Sequence, residues 1–293
     1  MKLTNKHGLP EGYCQAVRDD PYDKGESRYS VTELIGPPLI RLLRERHWDE
    51  LEEDVSDRVW SLFGQVSHGI LERAARATGN VDFVEKRLFI ERMGVKVGGQ
   101  IDLCTTNDTF TTIITDYKTT SVYSVMSGGK SEWEQQLNLY AHICRENKIP
   151  VDGLEIVALL RDWRPSELVK KPGYPPVPVQ AIKIPLWDAE RAEKYLMARI
   201  QLHLEADAMA TAPVCSPEER WERPAKWAIM TPGKERASKV CDTYQEAANL
   251  RKPTQTIEKR PGMAIRCQSY CPVAKFCEYG KRFTSIEAAF DSD

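Results

Sequence analysis

Two short stretches constrain this chain most, because each places an acidic residue at a strand-like position. Residues 98–103 contain Asp102, and residues 113–120 contain Asp116 and Lys118. Side chains alternate between the faces of a β-strand, so Asp116 and Lys118 point the same way, about 7 Å apart along the strand. The pattern predicts two strands that bring charged groups to one end of a sheet.

Two carboxylates that converge form a site of hard oxygen ligands, which suits Mg²⁺ with water and substrate phosphate completing its shell. An ammonium group beside the metal, here Lys118, can orient a water molecule and offset phosphate charge. Metal Lewis acidity with a polarised water is the usual chemistry of phosphodiester cleavage. Because Asp-x-Lys is a common tripeptide, a surface hairpin with an Asp–Lys ion pair is the alternative interpretation.

The order and spacing of several motifs resemble the PD-(D/E)XK nuclease superfamily, in particular its RecB-like exonuclease branch, which includes CRISPR-associated and phage nucleases. The matching residues lie on a helix, two strands and a second helix: Gly64-x-x-x-His68, Gly99-x-x-Asp102, Asp116-x-Lys118 and Gln136-x-x-x-Tyr140. The resemblance covers about residues 28–165. It implies an α/β, restriction-endonuclease-like core in which helices flank a mixed central β-sheet.

The resemblance also implies an activity, which is metal-dependent hydrolysis of DNA by an exonuclease acting on single strands or DNA ends. Mg²⁺ or Mn²⁺ is the implied catalytic cofactor. DNA is the implied partner, with a recombination or replication protein as a further candidate, in phage or bacterial recombination, replication or repair. The implied catalytic residues are Asp102, Asp116, Lys118, His68, Gln136 and Tyr140. The implied metal ligands are His68, Asp102, Asp116 and Tyr117.

Several roles stay open from the residues themselves. His68 and Glu72 share one helix face with Gly64, and either could bind the metal or hydrogen-bond beside it. Gln136 and Tyr140 also share a face. They could hold the region of Lys118 or a DNA phosphate, Tyr140 could stack on a base, and both could be interior packing.

Periodicity predicts the elements around these motifs. A helix begins near Ser30 with a Ser30/Glu33 capping box, and a second runs over 57–78 with an apolar stripe. Strands are expected at 83–92, 95–105, 109–118, 154–163 and 179–184, with helices at 131–147 and 187–209. A tight turn at Asn107-Asp108 would place Asp102 opposite Ile113, so a bend or bulge is needed to bring the carboxylates together.

Three regions are expected along the chain. Residues 1–28 form an N-terminal arm with little regular structure, 29–210 form the nuclease core, and 211–293 form a small C-terminal module with a cysteine-bound metal. Within the core, residues 121–131 contain Gly128-Gly129 and are interpreted as a mobile flap over the cleft.

The cysteines predict a metal site in the C-terminal module. Cys267-x3-Cys271-x5-Cys277 is a dense run, and Cys215 in a Pro-rich turn is the preferred fourth ligand over Cys241 and Cys14. Thiolates at this spacing suit an iron–sulfur cluster or zinc. The resemblance favours a [4Fe–4S] cluster, although the usual family run is C-x2-C-x5-C, and structural Zn²⁺ is the alternative.

The composition of the chain bears on where the protein is found in the cell and on how it would contact DNA. The net charge of the 293 residues is −2, so DNA contacts must come from local patches. No stretch approaches the ~20 apolar residues of a membrane helix, and the N-terminus lacks a signal-peptide core. We therefore expect a cytoplasmic protein of a bacterium or phage-infected cell, with reduced cysteines.

Two other functions fit the same pattern. One is a non-catalytic DNA-binding or adaptor protein that keeps the nuclease fold, and the other is a CRISPR spacer-acquisition nuclease. The intact set of Asp102, Asp116 and Lys118 favours an enzyme. Gly36-Pro37-Pro38 stands where CRISPR-associated relatives carry an early cysteine, which counts against the last possibility.

Overall fold

The structure is a computed structural model that describes residues 1–20, 22–79 and 81–283. It divides into two compact units, one of residues 1–38 and 52–209 and one of residues 39–51 and 210–293. The last ten residues of the predicted cysteine module, 284–293, lie outside the described residues. Residues 39–51, expected in the nuclease core, group instead with the C-terminal unit.

Strands and helices are interspersed through the first unit. The helices are Glu11–Arg18 (α1), Val31–Ile35 (α2), Pro38–Arg46 (α3), Val59–Thr78 (α4), Val122–Met126 (α5), Ser131–Glu146 (α6), Ala189–Met209 (α7), Tyr244–Leu250 (α8) and Ile265–Ser269 (α9). The strands are Lys2–Thr4 (β1), Tyr29–Ser30 (β2), Glu52–Asp54 (β3), Phe83–Arg92 (β4), Val95–Thr106 (β5), Thr112–Thr120 (β6), Gly153–Leu160 (β7), Val179–Ile184 (β8), Glu222–Arg223 (β9), Lys226–Met230 (β10), Lys239–Cys241 (β11), Thr256–Arg260 (β12) and Met263–Ala264 (β13).

The first unit is built on a mixed six-stranded sheet, which agrees with the expected fold class. Strands β5, β6, β7 and β8 follow one another across it, and β4 pairs with the other edge of β5. Strands β6 and β7 are parallel, whereas β4–β5, β5–β6 and β7–β8 are antiparallel. Strand β2 pairs with β5 only at Val97 and Gly98, while β6 pairs with β5 from Leu103 onward. Residues 99–102 of β5, between these two pairings, therefore have no strand partner on this edge among the described residues.

The turn between β5 and β6 differs from the expected tight turn. A five-residue loop, 107–111, joins the strands, and Thr106 pairs with Thr112 at its base. In this register Leu103 pairs with Thr115, so Asp102 lies level with Asp116 one position further along. The expected tight turn at Asn107-Asp108, which would have set Asp102 opposite Ile113, is therefore wrong. Loop length alone aligns the two carboxylates, and no bulge between them is needed.

Helix α6 fills the core beneath this sheet. It contains ten buried residues, and Leu137, Leu139, Ala141 and Cys144 are fully covered. Along β7, buried side chains alternate with half-buried ones, so one face of this strand is fully covered. The capping box predicted at the start of α2 is confirmed. The Ser30 hydroxyl accepts from the backbone N–H of Glu33, and the Glu33 carboxylate accepts from the backbone N–H of Ser30.

Two segments expected to be irregular contain regular structure. In residues 1–28, β1 pairs in parallel with β3, and α1 packs Cys14 and Val17 into a small apolar cluster with Val55. The predicted arm without regular structure is therefore wrong for these elements. Within the predicted flap, α5 occupies Val122–Met126, so that segment is partly helical.

Helix α4 contacts the sheet with one side and carries no fully buried residue. Members of its apolar stripe remain open, with Phe63, Val66 and Ile70 each more than half exposed. The stripe therefore does not act as a conventional core face. Among the described helices, none combines the length and hydropathy needed to cross a bilayer.

The C-terminal unit contains two small antiparallel sheets. Strands β11, β10 and β12 form one sheet, covered by α8, and β9 pairs with β13. Residues 39–51 join this unit through direct contacts: the His47 ring stacks on Phe276 at 4.0 Å, and Lys275 Nζ donates to the Glu50 carbonyl. These contacts explain why α3 groups with the C-terminal chain.

Candidate active site

Strands β5 and β6 place two buried carboxylates side by side. Asp102 is 8% exposed and Asp116 is 1% exposed. The backbone N–H of Tyr117 donates to Asp102 Oδ2 at 2.9 Å. The carboxylate thus takes the place of a strand partner where the β5–β6 ladder ends, which holds Asp102 against the opposing strand.

Helix α4 brings His68 to the same point. Its Nε2 lies 2.9 Å from the carbonyl oxygen of Tyr117, and its Nδ1 lies 3.5 Å from Asp102 Oδ2 and 3.6 Å from Glu85 Oε1. Oxygen acceptors therefore face both ring nitrogens. The hydrogen bond to Glu85 and the nearby charge of Asp102 outweigh burial and raise the pKa of His68 to about 9.

Burial and a neighbouring like charge act on the pKa of Asp102. Burial, followed by repulsion from Asp116, raises the pKa of Asp102 to about 7. Lys118 Nζ lies 2.6 Å from Asp116 Oδ2. Although burial acts to lower the pKa of Lys118, the charges of Asp116 and Asp102 raise it above its usual value. An ammonium group thus stays charged beside a buried carboxylate.

Gln136 and Tyr140 support the site from beneath the sheet. Gln136 Nε2 donates to Tyr140 Oη at 2.8 Å and lies 3.3 Å from Asp116 Oδ1. Both side chains are buried, at 7% and 5% exposure, so neither stands where a DNA phosphate or base would reach it. Tyr140 also lies against Gly99, where an added Cβ would come within 2.8 Å of its ring. This geometry favours positioning of Asp116 over direct DNA contact.

Glu85 is a site residue that the motif analysis missed. One carboxylate oxygen of Glu85, one of Asp102 and one ring nitrogen of His68 all lie within 4.8 Å of one another. Glu85 has a φ of 48°, in the left-handed region that non-glycine residues rarely adopt. Gln100 Nε2 donates to Glu85 Oε2 at 2.6 Å and holds it in this conformation.

The register of the β4–β5 hairpin is the feature that could have placed Glu85 beside Asp102. Met93 and Gly94 both have positive φ, as a two-residue hairpin turn requires. The resulting pairing of Arg92 with Val95 continues along the strands and sets Glu85 level with Asp102. Glu72, by contrast, accepts from Arg76 on its own helix at 2.8 Å and is absent from the candidate metal cluster in the described chain.

The side chains present fit a divalent cation. Glu85, Asp102 and His68 form a group whose ligand atoms lie within 4.8 Å of one another. Asp116, a predicted ligand, is not part of this group among the described residues, although the strand register sets it level with Asp102. Burial, and after it the charge of Asp116, raises the pKa of Asp102, and a bound cation would offset both effects. His68, charged in this state, acts in the same direction as such a cation. Oxygen ligands with one imidazole suit Mg²⁺ or Mn²⁺.

Four of the cysteines in the C-terminal unit line one cavity. Its lining includes all four predicted thiol ligands and apolar residues of α3: Cys215, Cys267, Cys271, Cys277, Leu39, Ile40 and Leu43. Cys241 lies elsewhere, buried beside Ile229 and Ala247, and Cys14 lies in the first unit. Burial raises the pKa of Cys215 to about 12, so a metal would have to displace its proton.

Comparison with known proteins gives one family. The model of the PD-(D/E)XK nuclease superfamily matches residues 39–278. A solved structure described as "Crystal structure of SSO0001" is similar at 16% sequence identity, with a TM-score of 0.47, over 71% of this chain and 87% of that one. No curated protein sequence matches.

Proposed function

Because the chain belongs to the PD-(D/E)XK nuclease superfamily, we propose that it is a metal-dependent deoxyribonuclease that digests single-stranded DNA or DNA ends as an exonuclease. The superfamily acts on nucleic acid, and Mg²⁺ or Mn²⁺ is its typical cofactor. A role in phage or bacterial recombination, replication or repair, with a protein partner from one of these processes, is the corresponding biological proposal.

The observation that carries this proposal is the meeting of charged groups at the open edge of β5. Asp102 and Asp116 lie level on neighbouring strands, His68 faces Asp102 at 3.5 Å, and Lys118 lies 2.6 Å from Asp116. A decayed nuclease fold used as an adaptor has no need to keep these groups together, because their burial beside one another is costly. The geometry therefore supports the enzyme.

The proposed roles follow from these positions. His68, Asp102, Asp116 and the carbonyl of Tyr117 would hold the metal, with Glu85 as a further ligand beside His68 and Asp102. When bound, Mg²⁺ or Mn²⁺ would polarise the scissile phosphate and a water molecule. Lys118, charged beside Asp116, would orient that water and offset phosphate charge. Gln136 would keep Asp116 directed at the site, and the buried hydroxyl of Tyr140 would keep Gln136 in place.

The direct test is digestion of DNA labelled at the 5′ or the 3′ end, as single strands, blunt duplexes and tailed duplexes, with Mg²⁺ or Mn²⁺. We expect mononucleotides or short fragments from wild-type protein and at least a 100-fold loss in Asp116→Asn and Lys118→Met, because each removes a group at the reacting phosphate. Thr109→Ala, in the exposed 107–111 loop, is the control. Equal DNA survival with wild type and Asp116→Asn, for every substrate and both metals, would refute the enzyme.

We further propose that Cys215, Cys267, Cys271 and Cys277 bind a [4Fe–4S] cluster that ties the C-terminal unit together. Their convergence on one cavity supports a shared ligand. The family resemblance seen in the sequence favours a cluster, and structural Zn²⁺ bound by the same four thiolates is the alternative.

The identity of the bound metal can be measured directly. Protein purified without oxygen should show broad visible absorption near 400 nm and about four irons per chain if the cluster is present. Cys271→Ala should lose the iron, and Cys241→Ala, which lies outside the cavity, should keep it. One zinc per chain without visible absorption would establish the alternative.

A further inference from the structure

Helix α4 carries an exposed aromatic pair that its packing does not explain. Trp60 is 48% exposed and Phe63 is 57% exposed, and their ring centroids lie 5.8 Å apart. Large apolar side chains open to water in this way mark binding surfaces when they cluster. About half of each side chain is therefore open to a ligand.

Arg161 completes this surface. Its guanidinium lies over the Trp60 ring, 4.4 Å from the centroid. No carboxylate pairs with Arg161 within the described residues. The neighbouring Asp162 is engaged elsewhere, because its Oδ1 accepts from the backbone of Val122 at 2.7 Å. An unpaired cation on an exposed tryptophan suits an anionic ligand with flat rings.

The aromatic pair lies on the approach to the candidate active site. Trp60, Gly64 and His68 follow at four-residue intervals on α4, so Trp60 lies about 12 Å along the helix from His68. At Gly64, between them, an added Cβ would meet nothing within 4 Å. Arg161 reaches the same region from the sheet, since its N–H donates to Thr120, two residues beyond Lys118. The surface of α4 is therefore open at Gly64, between Trp60 and His68.

We propose that Trp60, Phe63 and Arg161 form a stacking platform that binds unpaired bases of a single strand while its backbone lies in the active site. The proposal rests on the nuclease function proposed above and specifies its substrate. Aromatic rings stack on any base, and arginine contributes both a planar surface and charge for the phosphates. In a duplex the base faces are covered by their neighbours, so this platform selects single strands and frayed ends.

The test is binding of fluorescein-labelled oligo-dT and of a duplex of equal length to the full chain, followed by anisotropy without divalent metal. We expect Trp60→Ala and Phe63→Ala each to weaken oligo-dT binding about 10-fold, since stacking on one base contributes about this much. Trp60→Phe should retain most of the affinity, whereas Trp60→Leu, apolar without an aromatic face, should not. Duplex binding should change less than about twofold.

Phe110→Ala is the matched control, because Phe110 is 87% exposed in the loop at the far end of β5. It should bind oligo-dT as wild type does. Circular dichroism checks that all variants fold. Oligo-dT affinity unchanged in Trp60→Ala, or equal losses for single strand and duplex, would overturn the platform. A change in sedimentation of Trp60→Ala, with DNA binding intact, would instead show that a second copy covers the face.

Cleavage of single strands with Mn²⁺ separates this proposal from the function on which it rests. If the platform acts as proposed, Trp60→Ala should raise KM about 10-fold with little change in kcat. If wild type cleaves DNA and Trp60→Ala matches it in KM, only the platform is refuted. If wild type cleaves nothing while the selective loss of oligo-dT binding holds, the platform stands and the nuclease assignment falls.

Discussion

A single methyl group on β5 should disturb the whole candidate site. Gly99→Ala would place its Cβ 2.8 Å from two ring atoms of Tyr140 and 3.4 Å from Ile143. The backbone of Gly99 has no positive φ, so alanine meets no conformational penalty and the cost is steric. Tyr140 has little freedom to retreat, because it is buried and its hydroxyl accepts from Gln136 at 2.8 Å.

The magnitude follows from two opposing effects. Inserting a methylene-sized group into a filled core costs about 1–3 kcal/mol. Replacing glycine by alanine restricts the unfolded chain and returns about 0.4–1 kcal/mol. We therefore expect Gly99→Ala to lower the free energy of unfolding by about 1–2 kcal/mol. Cleavage should also fall, because a displaced Tyr140 moves Gln136 away from Asp116.

Urea unfolding followed by far-UV circular dichroism measures the stability change, and digestion of end-labelled DNA measures the activity. Gly69→Ala is the control of opposite sign. Gly69 lies inside α4 with nothing within 4 Å of an added Cβ, so alanine should stabilise the protein by about 0.5–1 kcal/mol. Gly99→Ala as stable and active as wild type would refute the tight packing of Tyr140 against β5.

Three further predictions concern charge. Glu85→Gln should weaken Mn²⁺ binding about 10–100-fold with the fold intact, because His68 loses a carboxylate that orients it; calorimetric titration measures this. Ligands bind metal deprotonated, and the pKa values of Asp102, about 7, and His68, about 9, lie above their usual range. Mn²⁺ affinity should therefore rise between about pH 6 and 9, with proton release that calorimetry in two buffers detects; a flat profile would contradict these shifts. Backbone hydrogen bonds from Lys6 and Ser56 lower the pKa of Asp54, so its stabilisation is present above the unfolded pKa of about 4 and fades below it. Asp54→Ala should lower Tm at pH 7, and the difference from wild type should shrink as the pH falls below 4.

Much of the site was predictable because its signals are local. Alternation along a strand and the 3.6-residue helix repeat located β4, β5, β6, α4 and α6 to within a few residues. The same rules placed Asp116 and Lys118 on one side of a strand, and the structure brings them within 2.6 Å. The register between β5 and β6 was not predictable from the Asn-Asp pair, because a five-residue loop with Phe110 at positive φ replaced the expected turn.

The sequence by itself identified Asp102, Asp116 and Lys118 as candidate residues and predicted the elements on which they lie, since strand and helix periods depend only on neighbours along the chain. Tertiary structure alone decided that His68 of α4 lies beside Glu85 and Asp102, that the four thiols predicted as ligands line one cavity, and that α4 leaves Trp60 open. These outcomes depend on how distant segments pack. Burial and charge at each position depend on which distant segments pack against it, and local sequence patterns do not encode that packing.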